Sequence, residues 1–432
     1  MASMVSQIAF VALLVVAGFF IYKRYQFVKS NILLGRPNGP TDRKQERLRN
    51  MILIAFGQKK MFDRPFAALL HLVVYAGFII INIELLEIIV DGIAGTHRAF
   101  AGMGAFYIFL INAFEILAAL VIVACVVFFT RRNVAKLRRF HLAEMKSWPK
   151  TDANLILITE VVLMKAFLVM NAADSIVAQR TNGHTPDFIV SQWLQPVYQS
   201  LSTSNLEMLS HFTWWLHILG ILAFIVYLSY SKHLHILLAF PTTYFSKLED
   251  PGRINNMTAV TNEVKLMMDP SAQVEPVEIG RFGAKDVSDL TQHQLLSAYS
   301  CTECGRCTSE CPANQTGKLL SPRKVMMDIR DRMEEIGNAK AKNNGVWEED
   351  GKSLLGNYIS EEEVWACTTC NACTNACPIN INPMEVLVDL RRYLIMEESK
   401  SPESITSMFN NMENNGAPWA MSANDRGNWT NE

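Results

Sequence analysis

Cys301-Thr302-Glu303-Cys304-Gly305-Arg306-Cys307-Thr308-Ser309-Glu310-Cys311-Pro312 recurs as Cys367-Thr368-Thr369-Cys370-Asn371-Ala372-Cys373-Thr374-Asn375-Ala376-Cys377-Pro378. Each run has the spacing C-x2-C-x2-C-x3-C-P, in which three thiolates wrap one iron-sulfur cubane and the fourth ligates its neighbour. By that rule Cys301, Cys304, Cys307 and Cys377 hold one 4Fe-4S cluster, and Cys367, Cys370, Cys373 and Cys311 hold the other. Paired C-x2-C motifs also bind structural zinc. Zinc sites, however, use two separated pairs and have no need of three cysteines in a row closed by Cys-Pro, twice. Shared ligation keeps the two cubanes close, which suits one-electron hopping.

Around the runs the chain reads as helical. Ser321-Pro322 opens a helix through Arg332, a polar stretch from Asn338 to Gly345 reads as a loop, and Asn382-Pro383 starts a second helix, Met384 to Met396. Val386, Leu387, Leu390, Leu394 and Ile395 give that second helix an apolar stripe. The ninth cysteine, Cys125, lies in an apolar run and reads as a small hydrophobe. One spacing repeated twice is unlike a scattered extracellular disulfide framework, so a reducing compartment is expected.

Half of the 432 residues are hydrophobic, and they concentrate before about residue 240. Five segments are long and apolar enough for a hydrocarbon core about 30 Å thick: Met4 to Tyr22, Phe66 to Val90, Gly104 to Thr130, Asn154 to Met170 and Phe212 to Tyr230. The first has no basic residue ahead of it and Lys23-Arg24 behind it, so it reads as an uncleaved anchor. Lys and Arg crowd the loops from Lys23 to Arg64 and from Arg131 to Lys150, whereas the opposite loops offer Arg98 and Arg180. The positive-inside rule then places the N-terminus outside and the cysteine runs in the cytoplasm. The fold class expected is mainly α: a five-helix transmembrane bundle over residues 1–240, a linker over 241–290, an α-helical ferredoxin-type domain with two 4Fe-4S clusters over 291–400, and a tail over 401–432 suited to partner binding.

Ionisable groups inside spans are costly and invite a functional reading. Glu115 and Lys165 fall near mid-depth and are expected to form an ion pair or to line a proton path. Glu84 and Glu87, one turn apart, would exchange protons at a quinone site or simply be solvated at the helix mouth. Trp214 and Trp215 read as an interfacial belt.

A haem between helices needs two imidazoles at equal depth on neighbouring helices. His71, near the start of the second span, pairs best with His235 beyond the fifth, with His233 as substitute. His217 precedes His235 by 18 residues, about five helical turns, so the two are expected to project from one face, a spacing that suits two haems stacked across the membrane. The candidate partners for His217 are His97, in the loop after the second span, and His211.

Phe282-Gly283-Ala284-Lys285-Asp286-Val287, Ala298-Tyr299-Ser300 and Glu413-Asn414-Asn415-Gly416-Ala417-Pro418-Trp419, with the cysteine runs, resemble the iron-sulfur subunit of heterodisulfide reductase and its relatives. In particular they resemble membrane oxidoreductases of the electron-transfer-flavoprotein:menaquinone type. Trp214-Trp215-Leu216-His217 and Ser231-Lys232-His233-Leu234-His235 are similar to the b-type cytochrome domain of that family, itself similar to the gamma subunit of respiratory nitrate reductase. The resemblance covers nearly the whole chain and implies haem b, one or two, with menaquinone or another quinone as substrate. Members that act alone continue into cysteine-rich CCG domains. This sequence stops at Glu432, so the resemblance implies a separate CCG-domain iron-sulfur subunit bearing the substrate site, and possible service by electron-transfer flavoprotein.

The expectation is therefore a redox subunit of the cytoplasmic membrane, passing electrons between a cytoplasmic partner and quinone. Two alternatives stand beside it: a haem-free anchored ferredoxin-like conduit, and an iron-sulfur redox sensor or scaffold. A net charge of −1 argues against nucleic acid as a partner.

Overall fold

The computed structural model describes residues 4–40, 42–96, 98–181, 183, 185–277 and 280–431. The chain divides into two compact units. The first holds residues 4–30, 45–244 and 299–305; the second holds 31–44, 245–298 and 306–431. The division thus falls inside the first cysteine run, between Gly305 and Arg306.

In the first unit five helices are long and apolar enough to cross a membrane: α1 (Met4–Ile32), α2 (Pro65–Ala94), α3 (Ala105–Asn133), α4 (Trp148–Thr181) and α5 (Thr203–Leu228). A helix is the form that satisfies every backbone group of an apolar segment from within, as a hydrocarbon medium demands. Pro65 starts α2 at a position that needs no N–H, and Gly95, at φ 71°, ends it in the left-handed conformation. Ser202 caps α5 by accepting a hydrogen bond from the Asn205 N–H. Helices α2 to α5 pack around Ile111, Phe114, Ala118, Phe167 and Leu163, while Phe10 of α1 packs on Ile88 and Ile218. Glycine permits the closest approaches. A Cβ on Gly92 would meet the Phe10 ring at 2.5 Å, and one on Gly220 would meet Leu163 Cδ2 at 2.5 Å.

Three expectations are corrected here. The fifth span ends at Leu228, and α6 (His235–Phe245) begins only after a short 3-10 turn over Lys232–Leu234, with Ser231 accepting from the His233 N–H. His217 and His235 therefore do not share a helix, and the same-face argument fails. Glu115 and Lys165 form no ion pair. Glu115 is fully buried and accepts from Asn171 Nδ2 at 3.1 Å, from the Val190 N–H at 2.8 Å and from the Ser191 hydroxyl, whereas Lys165 points outward. Glu84 and Glu87 are buried rather than solvated at a helix mouth.

In the second unit the chain after α1 is stitched to the segment before the cysteines: the Arg36 N–H donates to Leu290 O at 2.8 Å, and Arg36 O accepts from the Gln292 N–H at 2.9 Å. The structured part then runs through α7 (Gln292–Ser300), α8 (Arg306–Glu310), α9 (Pro322–Lys342), α10 (Glu361–Ala366), α11 (Ala372–Ala376), α12 (Pro383–Met396) and α13 (Glu403–Asn415). Helix α9 continues to Lys342, into the stretch expected to be loop, while α12 starts and ends close to the expected bounds. Val325, Ile329, Met333 and Ile336 of α9 and Val386, Leu387, Leu390 and Leu394 of α12 are buried. No strand forms among the described residues; the extended contacts are isolated bridges.

Arg332 is fully buried and spans the unit's polar centre. It donates to Asp286 Oδ2 at 2.8 Å and to Asp350 Oδ2 at 2.6 Å. The guanidinium holds the Asp350 carboxyl down at about 2. That contribution is present above the unfolded carboxylate's pKa and is lost as pH falls through about 2. Arg332→Met is expected to destabilise the unit by about 3–5 kcal/mol, because it leaves the buried carboxylate of Asp286 without its counter-charge. The check is a fall in denaturant midpoint at unchanged m-value.

Candidate iron-sulfur and haem sites

The two cysteine runs share a backbone plan that goes beyond the cysteines. Glu303 and Gly305 in the first, and Thr369 and Asn371 in the second, occupy equivalent positions, and all four have positive φ. These left-handed residues coil each loop before a short helix, α8 or α11, and the two short helices pack on one another. Thr308 then bonds Ser321 at 2.9 Å, and Thr374 donates to Asn382 at 2.8 Å. Ser321 and Asn382 are the N-caps of α9 and α12, each followed by proline. A threonine one residue after the third cysteine thus ties each loop to the helix that follows it.

Cys301, Cys311 and Cys373 are buried, Cys304, Cys307, Cys367 and Cys377 are partly so, and Cys370 is exposed. Cys311 of the first run comes close enough to Cys367 and Cys373 of the second to influence both thiols. Burial pushes the Cys367 thiol up and that of Cys373 up to about 12. The Thr369 N–H donates to Cys367 Sγ at 3.4 Å and the Ile381 N–H to Cys377 Sγ at 3.3 Å, and bonds of this kind to sulfur tune a cluster's potential. Among the described residues no three His, Cys, Asp or Glu side chains converge as they would on a single metal ion. A cubane presents four separate irons, so its thiolates stand farther apart than those around zinc. Cys311, Cys367 and Cys373, gathered in the second unit, fit as thiolate donors to such a cubane.

Three of the candidate histidines share one hydrogen-bonding pattern. Nδ1 of His71 meets Gln58 Oε1 at 3.1 Å, that of His217 meets Leu163 O at 3.0 Å, and that of His235 meets Lys232 O at 3.1 Å. An acceptor at Nδ1 fixes the proton there and puts the lone pair on Nε2, the atom that can then ligate a metal. The rings of His233 and His235 lie 5.3 Å apart, edge to face, and His71 is close enough to act electrostatically on His233. Burial pushes both His233 and His235 below the usual histidine range, so both stay neutral. Nδ1 of His233 is buried without a hydrogen-bond partner. These residues fit one b-haem.

Among the described residues His217 has no second histidine facing it. His217 is 2% exposed and borders a narrow cavity of about 70 Å³ that no second histidine lines among the described residues. His97 lies outside the described residues. His211 is exposed and borders a different cavity, of about 830 Å³.

That larger cavity opens where α2 turns into α3, and sequence reasoning saw only part of it. Arg98 reaches Asp174 at 3.0 Å and Asn171 at 2.9 Å, while Glu87 accepts from Tyr107 at 3.1 Å and from the Phe100 N–H at 2.9 Å. Glu84 also borders it, with Oε2 buried and unpartnered. Trp214 and Trp215 form an edge-to-face pair on its wall, half-buried, with Trp214 packed on Phe10.

A family model for a 4Fe-4S dicluster domain matches residues 300–381. Together with relatives along most of the chain, it makes this chain similar to iron-sulfur electron-transfer oxidoreductases. The chain is 29% identical to the probable iron-sulfur-binding oxidoreductase FadF of Bacillus subtilis over 450 residues, covering 97% of this chain and 60% of that protein. It is 24% identical to the EtfAB:quinone oxidoreductase of Syntrophomonas wolfei, covering 90% of this chain and 55% of that protein. A shorter match, 34% identical, reaches one component of the dihydromethanophenazine:CoB–CoM heterodisulfide reductase of Methanosarcina acetivorans, over 26% of this chain and 27% of that one. The chain thus spans less than two thirds of the length of these relatives. No solved structure matches it.

Crossed ligation predicts that Cys311→Ala leaves the same low-temperature EPR signal as Cys367→Ala, and that Cys377→Ala leaves the same signal as Cys304→Ala. A Cys311→Ala spectrum matching that of Cys304→Ala would establish uncrossed ligation instead.

Proposed function

We propose that this chain carries electrons between a redox partner at its cysteine domain and the quinone pool of a membrane. Cys301, Cys304, Cys307 and Cys377 would hold one 4Fe-4S cluster, Cys367, Cys370, Cys373 and Cys311 the other, and His71 with His235 a b-haem, His233 being the alternative to His235. The observation that carries this reading is that the loop bearing Cys301 and Cys304 forms one compact unit with the five apolar helices and with the clustered imidazoles of His71, His233 and His235. Clusters and haem supply one-electron redox chemistry, and the protein fixes their order.

Quinone reduction takes up a proton with each electron, and quinol oxidation releases one. Of the groups bordering the larger cavity, Glu84 Oε2 is buried and has no internal partner, whereas Glu87 is held by Tyr107 and the Phe100 N–H. Glu84 is therefore the residue assigned to hold and pass that proton, with the ring against Trp214 and Trp215. The name of the Syntrophomonas relative, an EtfAB:quinone oxidoreductase, supports quinone as the membrane substrate and an electron-transfer flavoprotein as partner. The basic loops from Lys23 to Arg64 and from Arg131 to Lys150 support a cytoplasmic cluster domain.

The decisive test is a reduced-minus-oxidised spectrum of the detergent-purified full-length protein, with a pyridine haemochrome assay. One b-haem per pair of clusters is expected. Full cluster occupancy without haem would sink the histidine assignments and leave an anchored ferredoxin-like conduit. Glu84→Gln should lower quinone-linked turnover about 100-fold, the scale of a lost proton-transfer group, at unchanged haem and cluster content.

A further inference from the structure

Lys232 is the charged residue of Ser231-Lys232-His233-Leu234-His235 that haem ligation leaves without a task. It is 7% exposed. Its ammonium forms an ion pair with the carboxylate of Glu303, donates to Pro149 O at 2.7 Å and lies 3.7 Å from Asp152 Oδ2, while its backbone N–H also meets Asp152 at 3.3 Å. Glu303 and Asp152 are themselves buried, and Tyr227 donates its hydroxyl to Asp152. All five residues belong to the first unit.

Glu303 immediately precedes Cys304, and Ser300 immediately precedes Cys301. Ser300 is held too: its hydroxyl bonds Thr242 Oγ1 at 2.6 Å and donates to Leu238 O at 3.3 Å. The segment that follows α5 thus grips the residue before each of the two cysteines. In the second run, whose backbone plan is otherwise the same, the equivalent residues are Ala366, which has no side-chain polar group, and Thr369, whose hydroxyl turns back to Thr368 O. Coiling of the loop therefore requires neither a buried carboxylate nor the hydroxyl. Burying a charge is costly unless it is paired, so the first run bears a cost that the second avoids.

We propose that Lys232 is a positioning residue for electron transfer, its ion pair with Glu303 locking the Cys301–Cys304 loop beside the imidazoles of His233 and His235. The inference rests on the reading that those thiols hold a cluster and those imidazoles a haem. In the step so served, one electron leaves the cluster, which is oxidised, and ferric haem iron becomes ferrous. No bond forms or breaks, and no proton is transferred. The lock fixes the distance the electron crosses, as positioning groups do in other reactions where small displacements are costly in rate.

The test uses the full-length protein carrying Glu303→Gln, and separately Lys232→Arg, which keeps the charge should the first variant lose its cluster. Optical and EPR spectra establish cluster and haem content. Stopped-flow mixing then measures haem reduction from pre-reduced clusters, and hydrogen exchange follows residues 299–305 against 366–371. Expected at unchanged content are faster exchange in 299–305 alone and haem reduction slowed about tenfold or more in Glu303→Gln, with Lys232→Arg falling between it and the wild type. A retained rate with loosened exchange would make the pair structural only, and unchanged exchange would remove the lock; either overturns the proposal. Absence of haem from the wild type would defeat the underlying reading instead, and exchange alone would then decide whether Lys232 holds the loop.

Discussion

A charge taken out of water has to find a counter-charge or hydrogen-bond donors inside the protein, and in a bundle built for an apolar medium this constraint decides what sits next to what. Glu115 draws Asn171 and the turn at Val190–Ser191 onto α3. Arg98 gathers Asp174, Asn171 and Tyr107 around the larger cavity. Lys232 draws Glu303 and Asp152 to the segment beyond α5. Each network joins elements distant in sequence, so the tertiary arrangement follows the polar groups as much as the apolar ones. Against this background Glu84 Oε2 and His233 Nδ1, buried and unpartnered, mark positions where a bound molecule would complete the accounting.

The cysteine unit obeys a different constraint. Its fold carries two copies of one short design: a short helix, a threonine fastened to a helix cap, and a proline that starts the next helix. Two copies facing each other through α8 and α11 bring Cys311 across to Cys367 and Cys373. The surrounding shell is held by Arg332 rather than by apolar packing alone, which makes that arginine as central to the unit as any leucine in it.

Much of this was legible in the sequence because it is local. Apolar runs announced the five spans, and Asn382-Pro383 announced α12. What failed was inference across a distance. The 18-residue interval between His217 and His235 implied a shared face only while the helix was assumed continuous, and the turn at Ser231 breaks it. Depth matched Glu115 with Lys165, but depth says nothing of the direction around a helix, and Lys165 faces outward. Lys232 and Glu303 both sit in sequence motifs, yet their pairing joins positions 71 apart and leaves no periodic signal. The same holds for Arg98 and Asp174, 76 apart.

The geometry of α2 also limits how the electron route can be drawn. His71 and Glu84 lie on one straight helix thirteen residues apart, about 20 Å at 1.5 Å per residue. A haem held at His71 is therefore separated by most of a membrane's thickness from the cavity where Glu84 would serve a quinone. His217 falls between: it borders the same narrow cavity as Glu84, and its Nδ1 bond to Leu163 puts the ring's lone pair on Nε2. Among the described residues His217 is the one imidazole bordering that intermediate space. On the proposed route from haem to quinone, the length of the longest electron step would turn on that residue.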